Sequence, residues 1–302
     1  GGAASPDVVY RLDIALTSTV VLETTTGTFD TVLHLRQGGC PGTELLCDDD
    51  SGGPGNLSRI STTLTPGTYY VVVDGYSTAS LGTGTLQATI TPVPPVNDDC
   101  AAATAVTLLA GRTTVTGTTA AATETAGSCR VAPDVWFRFT LARTEVVRID
   151  TFGSAFDTYL GMRDGSCAGV NVGCTADACL TFQSQIVRTL GAGTYYVQVD
   201  GFGSSSMGNF TLNLEHLPVG NDPVARLLPA GSSTQTGATS GAGLLTGSCG
   251  AGTAPEATFY WTQCPADAGG TFTATTCDAA TTYDTLIFLR SGVTGAELAC
   301  ND

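Results

Sequence analysis

Three consecutive carboxylates, Asp48-Asp49-Asp50, are the residues of this chain best suited to chemistry. Calcium takes about six to eight oxygen ligands, and clustered carboxylates with backbone carbonyls supply them. Asp30 is expected at the same sheet end. The candidate metal set is therefore Asp48, Asp49, Asp50 and Asp30, and calcium is the cofactor this pattern admits. The same cluster also reads as a solvated acidic turn whose side chains hydrogen-bond nearby backbone. Nucleophilic chemistry lacks its parts. No Gly-x-Ser-x-Gly elbow exists, and the two histidines, His34 and His216, join no Ser/His/Asp grouping. The expectation is a chain that is not an enzyme.

Redox chemistry is the second possibility, since the chain carries 11 cysteines. CxxC pairs are missing and histidine is scarce, so zinc is not expected. Cysteines that recur near the same places along a chain suit disulfides and an oxidising compartment.

The elements that must position these groups come from an internal repeat. Phe29-Asp30-Thr31, Phe156-Asp157-Thr158 and Tyr283-Asp284-Thr285 each start a strand-like run, and the same 127 residues separate Asp30 from Asp157 and Asp157 from Asp284. A fixed period means one structural unit used several times. Val8, Tyr10, Leu12 and Ile14 alternate with polar residues, and so do Val135, Phe137, Phe139 and Leu141. Period two with β-branched and aromatic residues predicts strands with one buried face. Further strands are expected at Val20–Thr25, Val32–Arg36, Ile60–Leu64, Thr68–Val73 and Thr85–Ile90, with counterparts in the second copy. Leu108–Gly111 and Val224–Leu228 read as short turns. The fold class is all-β: tandem jelly-roll-like β-sandwiches, one complete and two partial. Residues 96–217 form the complete repeat. Residues 1–92 lack its N-terminal part and 218–302 its C-terminal part. Proline-rich joints at Thr91–Asp99 and Leu217–Pro223 read as semi-rigid linkers.

Spacing suggests the pairings Cys40–Cys47 and Cys167–Cys174, each closing one hairpin. Cys100–Cys129 follows in the second copy, then Cys249–Cys264 and Cys277–Cys300 in the third. Cys179 is left unpaired: a free thiol, a competitor for Cys174, or a link between chains.

Composition excludes several partners. The net charge of −15 opposes nucleic acid, whose phosphates must be neutralised by basic residues. All 12 basic residues are Arg. No apolar run approaches the roughly 18 residues of a membrane span.

Pro133-Asp134-Val135-Trp136-Phe137, Phe156-Asp157-Thr158 and Gly193-Thr194-Tyr195-Tyr196-Val197 with Asp200-Gly201 follow a fixed order. The first copy shows the same order from Pro6-Asp7-Val8 to Gly67-Thr68-Tyr69-Tyr70-Val71 with Asp74-Gly75. This pattern resembles the bacterial pre-peptidase C-terminal domain, in tandem as in large secreted or surface proteins of myxobacteria-like organisms. The resemblance implies a secreted β-sandwich that sometimes binds calcium. The expected function is a non-catalytic extracellular stalk, adhesin or filament, as part of a longer polypeptide or completed by neighbouring chains. The competing reading is a calcium-dependent carbohydrate- or protein-binding module accessory to a secreted hydrolase. Expected partners are self-association or same-family repeats, and surface glycans or matrix. The expected location is extracellular or the bacterial cell surface.

Overall fold

The computed structural model describes residues 5–39, 41–125, 129–218, 226–228, 231–241, 243, 245–250, 252, 254–262, 264, 270–291 and 296–302. The chain divides into two compact units, Gly1–Pro94 and Pro95–Asp302. Both are all-β.

Unit one contains β1 (Val8–Ile14), β2 (Ser18–Gly27), β3 (Thr31–Gln37), β4 (Thr43–Asp48), β5 (Arg59–Leu64), β6 (Gly67–Gly75) and β7 (Gly84–Pro92). They form two antiparallel sheets, ordered β1-β6-β3-β4 and β5-β2-β7. The alternation does the folding. In β2, Ser18, Val20, Leu22 and Thr24 are buried while their neighbours face outward, as a pleated strand with one core face requires. Val20, Leu22, Leu33, Leu35, Ile60 and Val71 meet between the sheets.

Unit two repeats this plan with two more strands. It contains β8 (Thr104–Ala105), β9 (Arg112–Thr118), β10 (Val135–Leu141), β11 (Glu145–Asp150), β12 (Thr158–Asp164), β13 (Asn171–Thr175), β14 (Gln185–Leu190), β15 (Gly193–Gly201) and β16 (Asn209–Pro218). The sheets are β13-β12-β15-β10-β8 and β14-β11-β16-β9. Val8 opposes Val73 in the first unit as Val135 opposes Val199 in the second. The added strands lie at edges: β8 runs parallel to β10, and β9 antiparallel to β16.

The same unit holds the third copy. β17 (Arg226–Leu227) pairs in parallel with β18 (Phe259–Tyr260), as β8 does with β10. β19 (Ile287–Arg290) and β20 (Glu297–Asn301) form a hairpin like β12 and β13. Arg226–Leu227 is therefore strand where a turn was expected, because a parallel neighbour overrides weak local preference. Among the described residues no helix is long and apolar enough to cross a membrane.

In unit two the segment leading into β10 covers the outer face of the larger sheet. Asn97 holds the strand from both sides: its carbonyl accepts from the Trp136 amide at 2.8 Å and its Nδ2 donates to the Trp136 carbonyl at 2.9 Å. Asp98 accepts from the amide and hydroxyl of Thr123 at 2.6 and 2.8 Å, tying the two passes of this arm together. Trp136 lies beneath it against Cys100 and Ala103, and its indole donates to Thr125 Oγ1 at 3.1 Å. Trp136 is 1% exposed, whereas its counterpart Val9 is 38% exposed. Trp136→Ala should cost about 3–5 kcal/mol in urea unfolding, as buried aromatics do. Val9→Ala, at the matching but open position, should cost below about 1 kcal/mol. Equal losses would contradict a covering arm in unit two.

Candidate functional site

Three hydroxyls set the geometry at one end of each sandwich. In unit one Thr24 Oγ1 meets Thr31 Oγ1 at 2.9 Å, Thr31 Oγ1 meets Ser58 Oγ at 3.0 Å, and Ser58 Oγ donates to the Thr31 carbonyl at 2.6 Å. Unit two repeats this with Thr151, Thr158 and Ser184: 2.6 Å between the threonines, and 2.7 Å from Ser184 Oγ to the Thr158 carbonyl. In the third copy Thr276 and Thr285 meet at 2.6 Å. The threonine of the Asp-Thr motif is thus a staple, buried in the first two copies and partly buried in the third, and in units one and two the aspartate before it is carried to the sandwich end.

There Asp30 joins the loop after β4. Carboxylate oxygens of Asp30, Asp49 and Asp50 all lie within 4.8 Å of one another. One oxygen of Asp30 and one of Asp49 are buried without a hydrogen-bond partner, and Asn56 Nδ2 donates to the other Asp30 oxygen at 3.2 Å. Burial, then the charges of Asp50 and Asp30, push the Asp49 carboxyl up. Like-charged oxygens gathered without donors are what a divalent cation would relieve. Asp48 does not join them. Its carboxylate accepts from Ser51 Oγ at 2.6 Å and from the Arg59 amide at 2.6 Å, so it clamps the loop instead. That is a correction to the four-residue set: these hydrogen bonds hold the Asp48 carboxylate at the base of the loop, while Asp49 and Asp50 lie past the end of β4 beside Asp30.

Unit two keeps two carboxylates at this end. Burial and then Asp177 push the Asp157 carboxyl up, while Arg130 pulls it down. Asp177, Cys179 and Leu180 all have left-handed backbone, with φ of 50°, 60° and 58°, a conformation that disfavours side chains.

A second acidic pair escaped the sequence reading. Val135 opposes Val199, so Asp134 and Asp200 occupy neighbouring strands at the next rung. Both are 0% exposed. Asp134 accepts from the Thr125 amide and hydroxyl, each at 2.8 Å. The Asp200 oxygens make no well-aligned hydrogen bond, although the Gly201 and Arg130 amides lie near enough to offset part of their burial. Burial, reinforced by Asp134, pushes the Asp200 carboxyl up to about 8.

The histidines carry no catalytic arrangement. His216 Nδ1 pairs with Glu145 at 2.5 Å and its Nε2 lies 3.1 Å from the Leu109 carbonyl. His34 Nδ1 pairs with Glu44 at 2.8 Å, and its Nε2 lies 3.9 Å from Asp74. Cys47 Sγ lies within 4.8 Å of the His34 and Glu44 ligand atoms. However, burial and then Glu44 push this thiol up, opposite to an activated thiolate.

The disulfides differ from four of the five pairings drawn from spacing. Cys100 bonds Cys167, and Cys129 bonds Cys174, with Cα separations of 5.8 and 6.0 Å. They replace the expected Cys100–Cys129 and Cys167–Cys174. Both bridges fasten the covering arm to the β12–β13 hairpin; neither closes a loop within arm or hairpin. Cys249 bonds Cys300, which removes Cys249–Cys264 and Cys277–Cys300. Cys179, expected unpaired, bonds Cys264 at 5.2 Å. Cys47 and Cys277 are free and exposed; Cys40, and with it the Cys40–Cys47 pairing, lies outside the described residues. A signal was present. The third copy has Val224 and Val293 where Cys100 and Cys167 stand, but keeps Cys249 and Cys300 where Cys129 and Cys174 stand. Cysteines lost together and kept together are partners.

Asp200 yields a pH prediction. Its folded pKa lies above the ordinary 3.8, so its contribution is most favourable below about pH 4 and is lost as pH rises through about 8. Asp200→Asn removes that dependence. Unfolding in urea should show the variant gaining on the natural chain as pH rises from about 4 to about 8. Parallel pH profiles would contradict the buried, protonated carboxyl.

Residues 8–75 match the family model of the bacterial pre-peptidase C-terminal domain. Residues 96–212 match a model described as galactose binding domain-like. No curated protein matches the chain. Among solved structures, the CUB1-EGF-CUB2 domain of human MASP-1/3 is similar at 8% identity and a TM-score of 0.22, covering 72% of this chain and 97% of that one. The family match in the first unit, with the motif order shared by the second, makes this a chain with repeats like the bacterial pre-peptidase C-terminal domain.

Proposed function

We propose that the chain is a non-catalytic module of a secreted or cell-surface protein, in which the repeats act as scaffold for a stalk, adhesin or filament. One observation carries this reading. The feature shared by the second and third copies is a fastening: an edge strand beside the central strand and a disulfide from arm to hairpin, Cys129–Cys174 and Cys249–Cys300. The acidic and histidine groups change from copy to copy. The T9SS-associated, galactose-binding-like model over 96–212 and the disulfides support an extracellular setting. Electron microscopy of the purified, oxidised chain should show ordered assemblies without added ligand. Turnover of a glycoside or peptide substrate that is lost in His34→Ala or His216→Ala would overturn the reading.

A second reading is favoured by the Asp30, Asp49 and Asp50 cluster: a calcium-dependent carbohydrate- or protein-binding module accessory to a secreted hydrolase. Calcium at about 100 times its dissociation constant should then stabilise unit one by roughly 2.7 kcal/mol. Asp49→Asn should abolish that gain, and Asp48→Asn should keep most of it. The absence of any calcium-dependent shift in the natural chain would end this reading.

A further inference from the structure

The covered outer face of unit two holds a hydroxyl, a carboxylate and a carboxamide in one buried patch. Trp136 opposes Gln198 in the β10–β15 register, and Asp134 and Asp200 lie on the same face one pleat along. Gln198 is 1% exposed. Its side chain runs beneath the arm: a Cβ built on Gly161, the neighbour of Gln198 on β12, would stand 3.0 Å from both Cys129 Sγ and Gln198 Oε1. Gln198 Nε2 is buried without a well-aligned partner. A buried donor in that state costs about 1–3 kcal/mol. The sandwich does not require this amide, because the first copy has Val72 at the same register position, opposite Val9.

Thr125 comes down on this patch from the arm. Its hydroxyl donates to Asp134 Oδ1 at 2.8 Å, a shorter contact than the 3.4 Å to the Asp98 carbonyl. Trp136 Nε1 donates to the same hydroxyl oxygen at 3.1 Å, and the Thr125 amide donates to Asp134 Oδ2 at 2.8 Å. A hydroxyl oxygen has two lone pairs, so one remains after the indole has taken the other. Burial pushes the Asp134 carboxyl up, against hydrogen bonds from Thr125, Trp136 and Gln198 that favour its charge. Two adjacent carboxyls in a buried site do not both ionise. The donors converge on Asp134, which keeps the charge, and Asp200 keeps the proton. Asp134 thus touches a hydroxyl that can lose a proton and lies beside an amide nitrogen that can receive one.

We propose that Thr125 and Gln198 become joined by an ester bond within unit two, with Asp134 as the base and ammonia as the leaving group. Asp134 takes the hydroxyl proton as Thr125 Oγ1 attacks Gln198 Cδ. The C–O bond forms and the carbon becomes tetrahedral. Asp134 then passes the proton to Nε2, the C–N bond breaks, and ammonia leaves as the carbonyl reforms. One ester and one ammonia replace one alcohol and one primary amide. Asp134 returns to its starting state, and no oxidant or cofactor enters. Holding the groups in one folded patch supplies the rate that a bimolecular reaction lacks, and the covering arm excludes the water that hydrolyses an ester. The step removes the unpartnered Nε2 and ties the arm to β15, the middle strand of its sheet. It goes beyond the scaffold reading, adding a crosslink that reduction does not break.

The test uses the 302-residue chain, reduced, alkylated and weighed intact. Its mass should lie about 17 Da below that of the alkylated sequence, the ammonia lost. After cleavage at arginine, fragments 113–130 and 189–226 should travel as one species. Hydroxylamine, which cleaves esters and spares amides, should separate them. Reduction removes any disulfide as the link. Thr125→Val should abolish both the mass deficit and the joined species, and Thr125→Ser should retain them. Asp134→Asn should slow the joining by about a hundredfold, the size of a general-base contribution. The Cys129–Cys174 bond, mapped in each unreduced variant, reports that the arm is seated. Separate fragments at full mass in a natural chain that has formed Cys129–Cys174 would overturn the proposal. So would a link at another residue pair, or a deficit that persists in Thr125→Val. None of these readouts depends on hydrolysis of a substrate or on assembly in the microscope, so failure here is separable from failure of the scaffold reading.

Discussion

A β-sandwich must pass its chain from one sheet to the other without leaving buried backbone groups unpaired. One such crossing lies between β2 and β3, and its counterpart between β11 and β12. The solution in both places is the threonine-threonine-serine staple. Thr24 and Thr151 end one sheet's strand, Thr31 and Thr158 begin the other's, and Ser58 and Ser184 approach from the strand alongside; all are 0–2% exposed. Hydroxyls replace the ladder partners that the crossing removes. A buried donor left without a partner costs about 1–3 kcal/mol, so these positions tolerate little change. The consequence reaches the surface. Because Thr31 is fixed, Asp30 is delivered to the sandwich end beside Asp49 and Asp50, and Asp157 is delivered beside Asp177 in the same way.

The covering arm imposes the second constraint. An antiparallel sheet ordinarily keeps one face in water, and unit one does so along β1. In unit two the arm turns that outer face into an interior. Burial then favours Trp136, whose single polar atom finds Thr125. It is unfavourable for carboxylates, and Asp200 sits there without a well-aligned hydrogen bond. The two disulfides lie where the arm meets the β12–β13 hairpin. They restrict the unfolded chain over separations of 67 and 45 residues, which raises their stabilising effect in the loop-entropy view. Bridges within a single hairpin would close much shorter loops. The arm therefore gains stability from the same crosslinks that hold an unfavourable carboxyl pair under cover.

Much of the fold was legible because it rests on alternation. β2, β3, β5, β6 and β7 coincide with runs of β-branched and aromatic residues at period two, and so do their counterparts in unit two. The edge strands were not legible. Four of the seven residues of Arg112–Thr118 are threonine, and Thr104–Ala105 is held by a parallel neighbour with little apolar content of its own. Asp30, Asp49 and Asp50 were readable as an acidic group, yet Asp48 was not separable from them without its hydrogen bonds to Ser51 and the Arg59 amide. The disulfides failed for a different reason. Near-neighbour spacing favours pairs such as Cys167 and Cys174, but these lie on one hairpin whose partner is the arm. Only the joint replacement of Cys100 and Cys167 by Val224 and Val293 carried that information.

Comparison between copies within one chain also separates groups that hold the fold from groups that act. The threonine staple recurs in all three copies, and the arm-to-hairpin bridge in two of them. The acidic cluster does not recur: three carboxylates gather in unit one, while Asp157 in unit two feels one carboxylate, Asp177, and the opposing charge of Arg130. The buried pair also differs, since Asp134 and Asp200 are fully buried in unit two, whereas Asp74 in unit one is reached by His34. A group that the fold needs must be present wherever the fold is. A group that varies while the fold persists is free of that requirement, and its cost has to be offset by something other than the sandwich. Asp49 and Asp50 belong to the second kind, whereas the aspartate of the Asp-Thr motif recurs in every copy as Asp30, Asp157 and Asp284.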